Sequence, residues 1–406
     1  MTERNENPRR QRSTVETNVS PDRVTISQRG TARRRKQQKK SAKQIALTIF
    51  GRTMLVIFTI VLLLVIGLCM IMNLIFNGPS ESAREVLTMS LLEASATKWV
   101  PALFIGADTV DEIRYQGNDQ PVIIMPDPGI TVDPNGSLSI ETDEWKDHPD
   151  GIYIEEVKGG TYNAYVMVIR DPSKVYMATS TETFSKDIAG TRINNQIKTE
   201  GAIAAINAGA FYDNGTTSSQ VGSVPEGLVV AGGKVVWSTG QAPENGFAGF
   251  NEDNILVVAH SMTANQAMEL KIRDGCCFGP ALIIDGVINQ EAYNSASGYN
   301  PRTAIGQRAD GAVIFLCIDG RQTNSIGGTY ADIIDIMNEY GAVNACNLDG
   351  GSSTVMLYRD QKGLYANDSS KQNFGDNIVM INNYSLLQAE PRRMPTFFMV
   401  RPADED

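Results

Sequence analysis

Histidine is nearly missing from this chain: only His148 and His260 occur in 406 residues. Ser-His-Asp and Cys-His nucleophiles and histidine-rich metal sites need an imidazole at their centre, so that scarcity argues against all three. His148 stands in the polar stretch Asp147-His148-Pro149-Asp150 and His260 closes a strand-like run; both read as structural. Cysteine is sparse too. Cys69 lies in an apolar run, and Cys276, Cys277, Cys317 and Cys346 show no Cys-x-x-Cys spacing, which speaks against a structural zinc and a disulfide-stapled scaffold. Cys317 and Cys346 read as core thiols, with a bridge to Cys276 or Cys277 left open.

Charge is absent from residues 53–80, and Met54–Met72 is almost wholly aliphatic, long enough to cross a bilayer as a helix. A cleaved signal peptide fits poorly, because the run is too long and no small-x-small site follows it. Leu68 stands where a lipoprotein signal needs a small residue. Residues 45–77 therefore read as a transmembrane signal anchor. Up to Arg52 the chain holds fourteen Lys/Arg against four Asp/Glu, so this part carries +10 and the remainder −20. Residues 1–44 have few apolar residues and no helical period, the pattern of a disordered basic tail. Its clusters, Arg33–Lys36 and Lys39–Lys40, abut the apolar run, so they read as a topological signal and no nucleic-acid partner is expected. Positive charge on the N-terminal side alone predicts a single-pass plasma-membrane protein with a cytoplasmic tail and an extracellular domain.

Beyond the span, Glu81–Trp99 reads as a helix stopped by Pro101, and residues 78–150 as a helical and loop connecting region. The stretch 116–151 is rich in Asp, Pro and Gly and lacks periodicity, as a linker or covering loop would. From Gly151 short apolar runs alternate with turns. Ala164–Ile169, Ala202–Ile206, Leu228–Ala231, Lys234–Trp237, Ile255–Ala259, Ala281–Ile284, Ala312–Ile318 and Thr354–Tyr358 all read as strands. Gly232-Gly233, Asp285-Gly286 and Asp310-Gly311 read as hairpin turns. A late amphipathic helix, Thr329–Tyr340, puts Tyr330, Ile333, Ile334, Met337 and Tyr340 on one face and ends at Gly341. Regular βα alternation is lacking, so the expected class is α+β: a β-rich mixed sheet core with a few flanking helices, preceded by one transmembrane helix.

Two other Asp-Gly steps differ from the hairpins. Asp349-Gly350-Gly351-Ser352-Ser353 follows an apolar run with glycines and hydroxyls, not a returning strand. Glycines admit a ligand close to the backbone, and successive N–H groups make a concavity that attracts phosphate or a developing oxyanion. Ile318-Asp319-Gly320-Arg321 joins a carboxylate to a guanidinium at another strand end. Upstream stand Asn300-Pro301-Arg302-Thr303, Pro225-Glu226-Gly227 and Asn207-Ala208-Gly209-Ala210-Phe211, and Ser325-Ile326-Gly327-Gly328-Thr329 lies between the two aspartates.

In this order the motifs resemble the phosphodiester glycosidase family over about Asn207–Ile381. Three departures stand out: Asn-Ala-Gly-Ala-Phe replaces the family's Asn-Gly-Gly-Phe-Phe, the Asp349-Gly350-Gly351 block lacks one glycine before its serines, and the family's frequent Arg-x-Val-x-Asn appears as Gly375–Val379 without an arginine. The resemblance implies that residues 151–406 form a hydrolase domain cleaving the glycosidic bond of a sugar-1-phosphodiester, in cell-surface polysaccharide or exopolysaccharide metabolism. Such a bond releases a phosphate, a weakly basic leaving group that gains from cationic hydrogen bonds. Asp349 and Asp319 are then the expected catalytic carboxylates. Asn207, Glu226, Arg302, Thr303, Arg321, Thr329, Gly350, Gly351, Ser352 and Ser353 are the expected substrate contacts.

Arg302 and Arg321 also have a plainer reading as buried ion-pair partners of the two aspartates. No cofactor motif is present. A hard cation such as Ca²⁺ or Mg²⁺ stays open at Asp319, Asp349 and Asn347, which would make a metal-dependent phosphodiesterase. A non-catalytic envelope module that binds phosphorylated glycans is the other alternative.

Overall fold

A computed structural model describes residues 42–92, 97–115, 131–139, 143–212, 221–240, 246–383 and 390–402. The disorder expected of residues 1–41, and most of the expected linker (116–130 and 140–142), lie outside these. Contacts divide the chain into two units, Met1–Ile66 and Gly67–Asp406. The first contributes most of a 35-residue helix, Ala42–Phe76. Its stretch Ile45–Phe76 is long and apolar enough to span a membrane.

In the second unit the helix expected over Glu81–Trp99 is shorter, Glu81–Leu92. Pro101 does not stop it; it opens another helix, Val100–Ile105. A first-turn proline has no N–H to lose to the helix ladder, so it starts helices as readily as it ends them.

The class is α+β. Seven strands form one sheet in the order Ile152–Lys158, Asn163–Ile169, Val313–Ile318, Arg302–Arg308, Ala342–Leu348, Ala281–Ile284 and Val287–Ile288. One five-stranded sheet runs Ile378–Met380, Met356–Arg359, Ala204–Asn207, Thr396–Val400 and Val175–Thr179. The other runs Lys234–Ser238, Leu228–Ala231, Ile272–Cys277, Phe247–Asn251 and Leu256–Ala259. All pairings between these strands are antiparallel.

Alternation along the strands explains the layering. Tyr165, Met167, Phe315, Cys317, Ile305 and Cys346 point from the large sheet into a core shared with Ile206, Met356 and Phe398 of one five-stranded sheet and Val229, Phe250 and Cys276 of the other. The intervening residues Val166, Val168, Ile314 and Leu316 pack on the opposite face against Ile333, Ile334 and Met337 of the helix Tyr330–Glu339. A third cluster sets Ala205, Leu357 and Phe397 against Ile193 and Ile197 of the helix Ile193–Glu200. Strands covered on both faces read as unbroken apolar runs, which is why the central ones stand out in the sequence.

Gly232-Gly233 and Asp285-Gly286 turn with both residues at positive φ, as the tight hairpin requires. The cysteines at 276, 277, 317 and 346 are free and buried.

Candidate active site

Sheet register gathers the chemistry at one end of the large sheet. Arg302 opposes Ile318 and Thr303 opposes Leu348. The strand ending at Ile318 therefore delivers Asp319, and the strand ending at Leu348 delivers Asp349, on either side of the strand that starts at Arg302. A third element, Ile378–Met380, ends just before Asn382 and Asn383. Between these strand ends lies a cleft lined by Pro301, Asp319, Gly320, Arg321, Gly351, Ser352, Thr354, Asn382 and Asn383.

Asp319 is 1% exposed. Its carboxylate accepts hydrogen bonds from the Asn383 backbone N–H at 2.9 Å, Asn383 Nδ2 at 2.9 Å and Asn382 Nδ2 at 3.3 Å. Burial raises its pKa to about 6, with the amides and the nearby Lys371 cation pulling the other way. Asn383 Nδ2 also donates to Tyr165 Oη at 2.7 Å, and Lys371 Nζ lies 4.5 Å from the centre of the Tyr165 ring. Burial lowers the Lys371 pKa, against the pull of Asp319. Asp319 is thus a carboxylate solvated by neutral amides, with one ammonium nearby.

The opposite wall is the turn after Asp349, which lines the cleft through Gly351, Ser352 and Thr354, while Asp349 itself stands outside the lining. Asp349 is half-buried; its N–H donates to Ala208 O at 3.0 Å and its carbonyl accepts from Asn207 Nδ2. Gly351 has φ +60°, and a Cβ there would lie 3.3 Å from Arg321 Nη1. Glycine therefore lets the guanidinium lie against the turn. Arg321 is itself at φ +58°, a strained conformation for a side-chain-bearing residue, and donates from Nη2 to Asn300 Oδ1 at 3.0 Å. It is exposed, and its guanidinium is at the cleft. Thr354 also lines the cleft, and its buried Oγ1 has no hydrogen-bond partner among the described residues.

Several other expected contacts are placed elsewhere. Arg302 is 3% exposed and donates to the carbonyls of Gly328, Ser297 and Gly298 at 3.1, 2.6 and 3.0 Å, with its guanidinium 4.5 Å from the Tyr330 ring centre. Through these contacts Arg302 ties loops together. Thr329 caps the helix Tyr330–Glu339 in a reciprocal box with Asp332, because an N-terminal turn needs a side-chain oxygen for its unpaired N–H groups.

Asn207 and Thr303 are wholly buried: Asn207 Oδ1 accepts from Thr303 Oγ1 at 2.8 Å and from Val355 N–H at 3.1 Å. That pair locks the two facing sheets together behind Asp349. Ser353 is buried, and Glu226 is exposed on a loop outside the cleft lining. Gly350 packs against Pro301, where a Cβ would meet the carbonyl oxygen at 2.7 Å. Among the described residues no group of three or more His, Cys, Asp or Glu side chains is arranged to hold a metal ion.

Lys371, Asn382, Asn383 and Tyr165 escaped the sequence reading. The readable signal was Asn382-Asn383 closing an apolar run, the same grammar that marks Asp349. Arg392, too, was missed: its Nη1 donates to Ser352 Oγ at 3.2 Å and its guanidinium lies 4.7 Å from the Phe211 ring centre.

A family model described as phosphodiester glycosidase matches residues 200–401. Residues 200–401 are a phosphodiester glycosidase domain. The SPbeta prophage-derived uncharacterized protein YomE of Bacillus subtilis (strain 168) is 26% identical over 204 residues, which is 49% of this chain and 29% of that protein. The chain thus spans under a third of that relative's length.

Among solved structures, the zebrafish N-acetylglucosamine-1-phosphodiester alpha-N-acetylglucosaminidase catalytic domain, auto-inhibited by its pro-peptide, is 19% identical. The match covers 63% of this chain and 85% of that one, with a TM-score of 0.47. A hypothetical protein from Synechocystis is 15% identical over 62% of each chain, with a TM-score of 0.45. The phosphodiester glycosidase domain starts inside the sheets: strands Ile152–Lys158 and Asn163–Ile169, which precede the matched residues, complete its largest sheet.

Proposed function

We propose that this chain hydrolyses the bond between C1 of a sugar and the oxygen of a phosphodiester, acting on a cell-surface or exopolysaccharide glycan from a single-pass anchor with its catalytic domain outside the cell. The observation that carries the chemistry is Asp319: a buried carboxyl with a pKa of about 6, at a cleft whose other wall holds a guanidinium and a glycine turn. A general base works best when its pKa lies near the working pH.

In this reading Asp319 accepts a proton from water as the water oxygen attacks C1. The C1–O bond breaks, and its electron pair leaves with the phosphate as a phosphomonoester. Arg321 takes the departing oxygens, and charge-assisted contacts of that kind contribute about 1.5–3 kcal/mol each. Asp349, at the start of the glycine turn, is assigned to offset positive charge building at C1. Gly350, Gly351, Ser352 and Thr354 shape the phosphate side, while Asn207, Arg302, Thr303 and Thr329 hold the loops in place.

The test is release of free sugar from a panel of synthetic α- and β-glycosyl-1-phosphate benzyl diesters. Free sugar plus benzyl phosphate is expected. Release of sugar 1-phosphate plus benzyl alcohol would mean phosphodiesterase chemistry, and tight binding with no turnover would mean a glycan-binding module.

A further inference from the structure

We infer that the helix Glu81–Leu92, which follows the apolar helix, is a working part of the active site, and that Ser90 is its positioning residue. The Tyr299 backbone N–H donates to Ser90 Oγ at 3.0 Å, and the same hydroxyl donates to Val86 O at 2.8 Å within its own helix. One residue earlier the loop meets the helix backbone: a Cβ on Gly298, at φ +71°, would lie 2.5 Å from Ser90 Oγ and 2.7 Å from Ser90 N. Only glycine fits that approach.

The loop so held leads straight into the cleft. Gly298 O and Ser297 O take the Arg302 guanidinium, Asn300 Oδ1 takes Arg321 Nη2, and Pro301 O takes the Gly351 N–H at 2.8 Å. Both the phosphate-side arginine and the glycine turn therefore rest on a segment whose outer support is Ser90. At its other end the helix is fixed to the close of the apolar helix, where Arg84 Nε donates to Phe76 O at 2.8 Å and Phe76 stacks on Phe104 at 5.1 Å. Ser90 touches no reacting atom; it acts through Tyr299, Asn300 and Pro301.

This inference rests on the proposed hydrolysis only for its kinetic arm. The experiment uses the full chain in detergent micelles and compares Ser90→Ala, Ser90→Thr and Gly298→Ala with the unaltered protein. Hydrogen exchange is read on peptides spanning 295–303 and on control peptides from the strands at 313–318 and 342–348. Ser90→Ala and Gly298→Ala are expected to exchange at least tenfold faster at 295–303 with the controls unchanged, and Ser90→Thr to restore protection.

On whichever glycosyl phosphodiester is turned over, Ser90→Ala is expected to lower kcat about tenfold and Ser90→Thr to recover it. Unchanged exchange at 295–303 in both Ser90→Ala and Gly298→Ala overturns the inference. So does a loss of protection spread equally over the control strands. If no phosphodiester is cleaved by the unaltered chain, the proposed function falls and the exchange comparison alone decides the role of Ser90.

Discussion

Replacing Asp319 by asparagine removes a buried negative charge, and stability should report it through pH. With its pKa raised from 3.8 to about 6, the native carboxyl holds its proton about 3 kcal/mol more tightly than the unfolded one. A native pKa above the unfolded value means that the folded state binds more protons between pH 4 and 6. Its stabilising share is complete below about pH 4 and is lost as pH rises through 6, so the unaltered protein should lose about 3 kcal/mol between pH 4 and 7 from this group.

The Asp319→Asn variant lacks that slope. Its oxygen can still accept from Asn383 N–H and Asn382, but its own amide meets Asn383 Nδ2 donor to donor, a cost of about 1–2 kcal/mol. The variant should therefore be less stable than the parent near pH 4.5 and more stable by about 1–2 kcal/mol at pH 8, with the two stability curves crossing. Urea denaturation of the full chain in micelles, followed by tryptophan fluorescence across that pH range, measures this. Parallel curves would refute the reading of Asp319 as a desolvated carboxyl. In the same variant free-sugar release should fall by at least a thousandfold, and in the parent kcat/KM should drop tenfold per pH unit below about 6.

Four further outcomes follow from the same geometry. Lys371→Met removes a cation that favours the ionised form of Asp319, so the acid limb of the kcat/KM profile should move to higher pH; a limb that stays put would detach Lys371 from the site. Arg321→Ala should lower kcat/KM by about 10- to 100-fold, the loss of one charge-assisted contact, with stability nearly unchanged because the residue is exposed. Thr329→Ala should cost about 1 kcal/mol in urea denaturation while KM stays within twofold; a large rise in KM would return Thr329 to the substrate. Burial pushes the Cys277 thiol up to about 12 and raises Cys276, Cys317 and Cys346 likewise. All four should resist N-ethylmaleimide in the folded protein at pH 8 and react once it is unfolded.

Some elements buried on both faces were legible as unbroken apolar runs, while others, such as Thr396–Val400 and Phe247–Asn251, were not. Leu228–Ala231 and Ala281–Ile284 have the same bounds in sequence and structure, and Val313–Ile318 and the helix Tyr330–Glu339 fall within a residue of their expected ends. Two strands with a mixed or polar face were missed, although the exposed Lys234–Ser238 was found. Ile152–Lys158 has Glu155 and Glu156 in mid-strand and lies with an exposed side, and Arg302–Arg308 carries a buried arginine and Gln307, which a hydrophobic pattern does not reveal.

Local grammar alone marked the strand ends that form the candidate site: Asp319-Gly320-Arg321 and Asp349-Gly350-Gly351 bear a carboxylate after an apolar run, followed by residues able to adopt turns. It also gave the long uncharged segment, whose length against a bilayer needs no partner to be read. What tertiary structure decided is which polar residue reaches the cleft and which ties loops. Arg302 and Arg321 have the same side chain in similar motifs, yet strand register buries the first against carbonyls and leaves the second at the cleft. The amides that solvate Asp319 come from more than 60 residues away, and the hydroxyl that supports Tyr299 comes from 209 residues away. Those partners are set by the stacking of sheets and the docking of one helix, long-range packing that a local pattern does not encode.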